Sequence, residues 1–198
     1  MKGDSFGKVS IIYDFFEKNV IKDYQGSIKI LEKNMKFGKN DTVIDVGGGT
    51  GYITDHFVDN FQKGVVLDLS RIMLSRNKNS KILKIEADGA YLPLRNDIAD
   101  VAILNAVLHH VDYKKQQFVL EECFRILKPK GTLVIIESAA LEKFFAKLFR
   151  IIERVLIGKT YFIPPENLEK KLNKIGFKEI KKIFPKKQDW KYAIKTIK

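Results

Sequence analysis

Apolar residues along the chain alternate between two spacings, and the switches between them mark out the elements. Val9, Ile12, Phe15 and Phe16 recur at helical intervals, as do Ile28, Leu31 and Met35, predicting two helical segments across residues 8–36. Gly38–Asp41 reads as a turn. Thr42-Val43-Ile44-Asp45-Val46 is a short β-branched run that ends in glycines, which predicts a buried strand. Helical spacing resumes over Tyr52, Ile53, His56, Phe57 and Phe61, with Gly64 expected to close that helix. Val65–Asp68 predicts a second strand, Ser70–Asn77 a short helix capped by Ser70, and Lys81–Glu86 a third strand. Ile98–Leu104 predicts a fourth strand. Residues 114–127 form an amphipathic helix ended by Lys128-Pro129-Lys130-Gly131, and Thr132–Ile136 is the fifth strand.

Strands that alternate with helices at this spacing predict an α/β fold with a parallel, doubly wound sheet. The remaining chain reads differently. Leu141–Leu156 predicts a long helix and Glu166–Ile175 another, preceded by Pro164-Pro165 and stopped by Gly176. Two strand-like runs, Phe177–Phe184 and Trp190–Ile197, are close in sequence, so an antiparallel pair is expected. The sheet then has seven strands, mostly parallel, with a C-terminal antiparallel hairpin. No Pro/Gly/Ser-rich linker divides the 198 residues. One domain is expected over 1–198: a helical cap at 1–40, a ligand-binding core at 41–138 and a basic part at 139–198.

Charge adds to this picture. The formal net charge is +12, and residues 141–198 hold 16 lysines and arginines against 6 acidic residues. Such a region attracts nucleic acid, anionic lipid or an acidic substrate, or is simply a solvated surface. The single cysteine, Cys123, rules out an intrachain disulfide and sits in a helical pattern as a small buried hydrophobe. The N-terminus does not lead into a signal-peptide core, and the apolar runs are too short and too broken by charge to span a bilayer. A cytoplasmic protein is expected, with peripheral membrane contact left open.

The candidate chemistry centres on Asp45-x-Gly47-x-Gly49-x-Gly51. Glycines directly after a strand let the backbone pass close to a ligand at positive φ, and the helix behind aims amides and dipole at it. A dinucleotide loop wants G-x-G-x-x-G. Counting from Gly47 reaches Tyr52 and from Gly49 reaches Thr54, so the third glycine is missing and a nicotinamide enzyme is disfavoured. The Lys-Ser/Thr of a P-loop is also missing.

Here the sequence resembles the class I S-adenosylmethionine-dependent methyltransferases, over about residues 42–138. Asp45–Gly51 resembles the family's first motif, which lies against the methionine part of the cofactor. Asp68, followed by Leu69, matches the acidic residue that holds the ribose hydroxyls, as a carboxylate facing two hydroxyl donors should. Ala87-Asp88-Gly89 matches the adenine-binding turn. Asn105-Ala106-Val107-Leu108-His109-His110-Val111 resembles the segment after strand four in the small-molecule branch. Phe124–Leu133 resembles the family's helix-turn-strand punctuation, with Pro129-Lys130-Gly131 where Pro-Gly-Gly is usual.

The resemblance implies S-adenosyl-L-methionine as cofactor, S-adenosyl-L-homocysteine as product, and no metal ion. The protein's task is alignment and exclusion of water, with a base needed only if the acceptor must lose a proton. His110 and His109 are the candidates for that base. Tyr13, Tyr161 and His110 are candidates for the acceptor site, and Tyr24 lies in a segment that often covers the cofactor in this family. The Asn/Asp-Pro-Pro-Tyr/Phe motif that marks methylation of planar amino groups is not present; Asn105-Ala106-Val107-Leu108 stands there. The resemblance therefore leans to a small-molecule acceptor, quinones and lipids included. The Leu141–Tyr161 stretch interleaves an apolar face with Lys143, Lys147, Arg150 and Arg154, a pattern suited either to an anionic membrane surface or to packing on the sheet. Alternatives are methylation of RNA or protein through the basic C-terminal region, and a non-catalytic protein that keeps the cofactor site.

Overall fold

The computed structural model describes residues 17–138, 160–184 and 191–198. The expected apolar face of Val9, Ile12, Phe15 and Phe16, together with Tyr13 and the Leu141–Leu156 helix, lies outside the described residues. Within them, the first helix, α1, is Glu17–Asn34, and Ile28, Ile30, Leu31 and Met35 turn inward from its end. β1 (Thr42–Val46) follows, then a short helix α2 (Tyr52–His56) and one 3-10 turn, Val58–Asn60.

Gly64 does not close this helix; it lies inside β2, Lys63–Asp68, opposite Val43. The reason is steric: a Cβ at Gly64 would stand 3.0 Å from the Phe61 ring and 3.1 Å from Thr54. A glycine there lets the strand pass directly beneath the Phe57, Phe61 and Phe37 cluster. α3 (Arg71–Arg76) is capped as expected, with the Ser70 hydroxyl accepting from the Met73 amide. β3 is Ile82–Glu86, β4 Ala99–Asn105, and α4 Tyr113–Ile126.

β5 runs Leu127–Ser138, so it starts earlier than the sequence pattern suggests. Leu127 pairs with Ala99 and Thr132 with Val101, and the register shift between them absorbs Pro129-Lys130-Gly131. Lys130 takes φ +69 there, the left-handed region that glycine fills most readily. α5 (Pro165–Ile175) ends at Gly176, φ +114, and β6 (Lys178–Ile183) and β7 (Lys191–Ile197) complete the chain.

The seven strands lie in the order β3-β2-β1-β4-β5-β7-β6. β3, β2, β1, β4 and β5 are mutually parallel; β7 is antiparallel to both of its neighbours. This is the Rossmann-like α/β arrangement expected. Alternate residues of the central strands serve opposite faces, which explains their unbroken apolar runs. Val43, Val101, Ile103, Val134 and Ile136 face α1 and the phenylalanine cluster. Ile44, Ala102, Leu104, Leu133 and Ile135 face α4 and α5 through Leu120, Cys123, Leu168 and Leu172. Cys123 is fully buried, as expected, and burial pushes its thiol up to about 12. Among the described residues no helix is long and apolar enough to cross a membrane.

Candidate active site

Parallel neighbours place the carboxyl ends of β1, β2, β3 and β4 along one edge of the sheet, where ligands of such folds bind. Asp45, Asp68, Asp88 and Asn105 come together on that edge, each at or next to the end of a different strand.

The loop after β1 is built around its glycines. Gly47, Gly49 and Gly51 take φ of +72, +58 and +71. A Cβ on Gly47 would stand 2.7 Å from the Val107 side chain, so the loop lies against the turn that follows β4. The Gly47 and Gly48 amides both donate to the Leu67 carbonyl, at 2.7 and 3.1 Å, and the Gly49 amide donates to Asp68 Oδ2 at 2.8 Å. The glycine loop is thus tied to the end of β2. Asp68 Oδ1 accepts from the Ser70 amide. Burial pushes the Asp68 carboxyl up and the two amides oppose it. Each oxygen keeps a lone pair for a hydroxyl donor. Leu69, half exposed, adds an apolar surface beside it.

Asp45 lies under the loop, 1% exposed. Its Oδ2 accepts from the Thr54 hydroxyl at 2.8 Å, while its Oδ1 has no hydrogen-bond partner among the described residues. Burial pushes this carboxyl up to about 7, with Thr54 opposing and the nearby Asp68 charge adding to the rise. Asp88 caps its own turn by accepting from the Ala90 amide, and the Ala87 amide donates to the Asp68 carbonyl. Gly89 packs on Val46; a Cβ there would come within 3.2 Å. The helix-free crossover that carries Asp88 is pinned by Arg125, which donates to the carbonyls of Leu92 and Leu94 and to Glu122. Asn105 is 7% exposed, and its Oδ1 also has no partner among the described residues.

Beyond Asn105 the backbone takes a strained step: Ala106 has φ +56. A 3-10 turn, Leu108–His110, then carries both histidines, with ring centroids 4.0 Å apart. They differ in setting. His109 is buried, its Nδ1 lies 2.6 Å from Glu137 Oε2, and its ring stacks on Phe162 at 5.4 Å. His110 is half-buried. Burial of Glu137 works to raise its carboxyl, but His109, the Leu108 amide and His110 outweigh that and hold it below the usual range. Glu137 is therefore held as a carboxylate against the His109 ring. Tyr161 reaches the same place: its amide donates to the His109 carbonyl at 2.7 Å and its ring meets Tyr113 edge-on. On the other side of the loop, the Tyr24 ring of α1 stacks on Tyr52 at 5.0 Å.

Two site residues are not evident from the sequence pattern. Gln116 is fully buried and donates to the carbonyls of Leu108, Val111 and Tyr161. Glu137 is the other. Its signal is a lone carboxylate at the end of an apolar strand, the pattern that singles out Asp45 in β1.

Known proteins share this fold and parts of this sequence. A family described as "Methyltransferase domain" matches residues 44–135. An uncharacterised protein of Methanocaldococcus jannaschii is 28% identical over 89% of this chain and 82% of its own length. A ubiquinone/menaquinone biosynthesis C-methyltransferase of Wigglesworthia glossinidia brevipalpis is 32% identical over 79% of this chain and 67% of its own. The crystal structure of an S-adenosylmethionine-dependent methyltransferase from Thermotoga maritima superposes with a TM-score of 0.78 at 16% identity, covering 98% of this chain and 97% of that one. The residues on this edge fit the family's cofactor. S-adenosylmethionine brings an ammonium, ribose hydroxyls and an adenine amino group, all donors. The edge offers carboxylates, two buried acceptor oxygens in want of donors, and a glycine cradle that a side chain would fill. Sequence, fold and cradle agree that the chain belongs to the class I S-adenosylmethionine-dependent methyltransferases.

Proposed function

We propose that this methyltransferase acts on a small, hydrophobic hydroxylated ring, a hydroquinone with a lipid-like tail, and that His110 takes the acceptor's proton. Bound S-adenosylmethionine supplies a methyl group on a positively charged sulfur. The chain's residues supply the rest. The glycine loop and Asp45 seat the methionine end, Asp68 accepts from the ribose hydroxyls, Leu69 lies beside the adenine, and Asp88 accepts from its amino group. Asn105 closes the fourth side. His110 stands on the turn directly after Asn105, in position to remove a phenolic proton as a ring carbon takes up the methyl group; the ring then loses its own proton to restore aromaticity. Tyr161 lines the acceptor side.

The observation that supports this reading best is the half-buried His110 beside the buried His109–Glu137 pair, on the turn that walls the glycine loop. The turn sequence Asn105-Ala106-Val107-Leu108 argues against a planar amino group, such as that of adenine or a glutamine amide, as acceptor. The relative from Wigglesworthia, named for a quinone C-methylation, points the same way.

The test is transfer of labelled methyl groups to a reduced, short-chain prenylated naphthohydroquinone, with bulk RNA and bulk protein in parallel. Methylation of the hydroquinone is expected. His110→Ala should lower kcat by about 100-fold or more, the scale of general-base catalysis, with S-adenosylhomocysteine affinity unchanged. Label found in RNA or protein and none in the hydroquinone would overturn the acceptor assignment.

A further inference from the structure

We propose that Glu137 is a positioning residue for the cofactor: it holds the turn after β4 in the strained form that walls the glycine loop. Neither the motif resemblance nor the matched family assigns it a part.

One carboxylate touches three successive residues of this turn. Oε1 accepts from the Val107 amide at 2.9 Å and the Leu108 amide at 2.7 Å, and Oε2 meets His109 Nδ1 at 2.6 Å. The side chain is 2% exposed, so all three contacts form in a low-dielectric setting, where charge-assisted bonds are strongest. The turn needs such a hold. Ala106, immediately before it, sits at φ +56, a conformation that persists only where the surroundings over-determine it. The Ala106 amide is fixed by the Ile136 carbonyl, one residue before Glu137. The end of β5 thus grips the turn at every step from Ala106 to His109.

The turn's two ends face the cofactor site. At one end, Asn105 Oδ1 is buried without a partner among the described residues. At the other, the Val107 methyl groups occupy the space that a Cβ on Gly47 would need. Relaxing Ala106 toward the right-handed region would rotate both. Val107 would leave Gly47, and the Asn105 amide would swing from the edge where the cofactor donors arrive. The carboxylate on β5 therefore sets the shape of a site formed by β1 and β4 without touching the ligand.

The test uses the intact protein and S-adenosylhomocysteine as probe, so it does not depend on the identity of the acceptor. Glu137→Gln keeps the length and one carbonyl oxygen for the two amides; Glu137→Leu keeps the bulk and removes every acceptor. Leu120→Ala, a fully buried residue of α4 that takes no part in the Glu137 hydrogen bonds, serves as a control for lost stability alone. By calorimetry at a temperature where all variants are folded, affinity should fall about tenfold or more in Glu137→Leu and recover in part in Glu137→Gln. It should stay within about twofold of the original in Leu120→Ala. A downfield imidazole N–H resonance from His109, hydrogen-bonded to carboxylate, should vanish in both Glu137 variants. If Glu137→Leu binds as tightly as Leu120→Ala at matched stability, Glu137 is only a structural residue and the proposal fails. If instead the hydroquinone goes unmethylated while these affinities follow the expected order, the acceptor assignment alone is wrong.

Discussion

Asp45 makes the fold pay for its cofactor site, and the cost depends on pH. Its carboxyl is buried and raised from 3.8 to about 7. Burial is the largest cause, the Asp68 charge adds to it, and the Thr54 hydroxyl opposes it. In the unfolded chain the same carboxyl ionises near its ordinary value. A group whose folded pKa is raised contributes stability that is complete below the unfolded pKa and is lost as pH rises through the folded one. The window here is therefore pH 4 to 7. A shift of roughly three units corresponds to about 4 kcal/mol in all, of which roughly 2–3 kcal/mol falls between pH 5 and pH 8. Asp45→Asn removes the ionisation and keeps the shape and a partner for Thr54. Urea unfolding of both proteins at pH 5 and pH 8 isolates Asp45 together with its coupling to Asp68, because titrations elsewhere cancel in the difference. The variant should gain about 2–3 kcal/mol on the wild type between the two pH values. An equal pH dependence in the two proteins would mean that Asp45 is already ionised when buried, and the account of its burial would be wrong.

Two further outcomes are expected. Asp68→Ala removes the acceptor shared by the Gly49 and Ser70 amides and offered to the ribose; S-adenosylhomocysteine affinity should fall roughly 10- to 100-fold, the scale of a lost hydrogen bond to a charged group, with cooperative unfolding retained. Unchanged affinity by calorimetry would remove Asp68 from the site. Lys130→Gly should raise the melting temperature by about 1–4 °C, because relief of a left-handed lysine exceeds the entropy cost of glycine by roughly 0.5–1 kcal/mol; no change or a fall would mean that φ +69 carries no strain there.

The strands were legible because burial on both faces leaves an unbroken apolar run, and that run survives whatever the helices do. Boundaries were less legible wherever tertiary contacts outweighed local preference. Gly64 reads as a helix stop by propensity, yet it lies in β2, where Phe61 and Thr54 leave little room for a Cβ. Pro129-Lys130-Gly131 reads as a break between helix and strand. In the structure, β4 pairs with β5 on either side of these residues and carries the strand through them with a register shift. Neither outcome is encoded in spacing along the chain; both depend on which neighbour arrives from elsewhere.

The site divides in the same way. Asp45, the glycines, Asp68 and Asp88 were legible because each marks a strand end, and parallel strands bring their ends to one edge whatever the loops do. The supporting residues answer to a different logic. Gln116 reads as an ordinary polar position of an amphipathic helix, and only the folded chain brings three carbonyls to it. Glu137 lies 28 residues from His109 in sequence, with α4 and most of β5 between them. Its isolation in the run Val134-Ile135-Ile136-Glu137 is the one mark it leaves. A buried carboxylate must find a partner or take up a proton. Asp45 and Glu137 take the two different courses: Asp45 is pushed toward the neutral acid by its burial and, less, by the Asp68 carboxylate, while Glu137, next to an imidazole, remains a carboxylate. Both stand at the cofactor edge of the sheet. A charged residue near the carboxyl end of an otherwise apolar strand is therefore a second mark of this edge, beside the glycine loop.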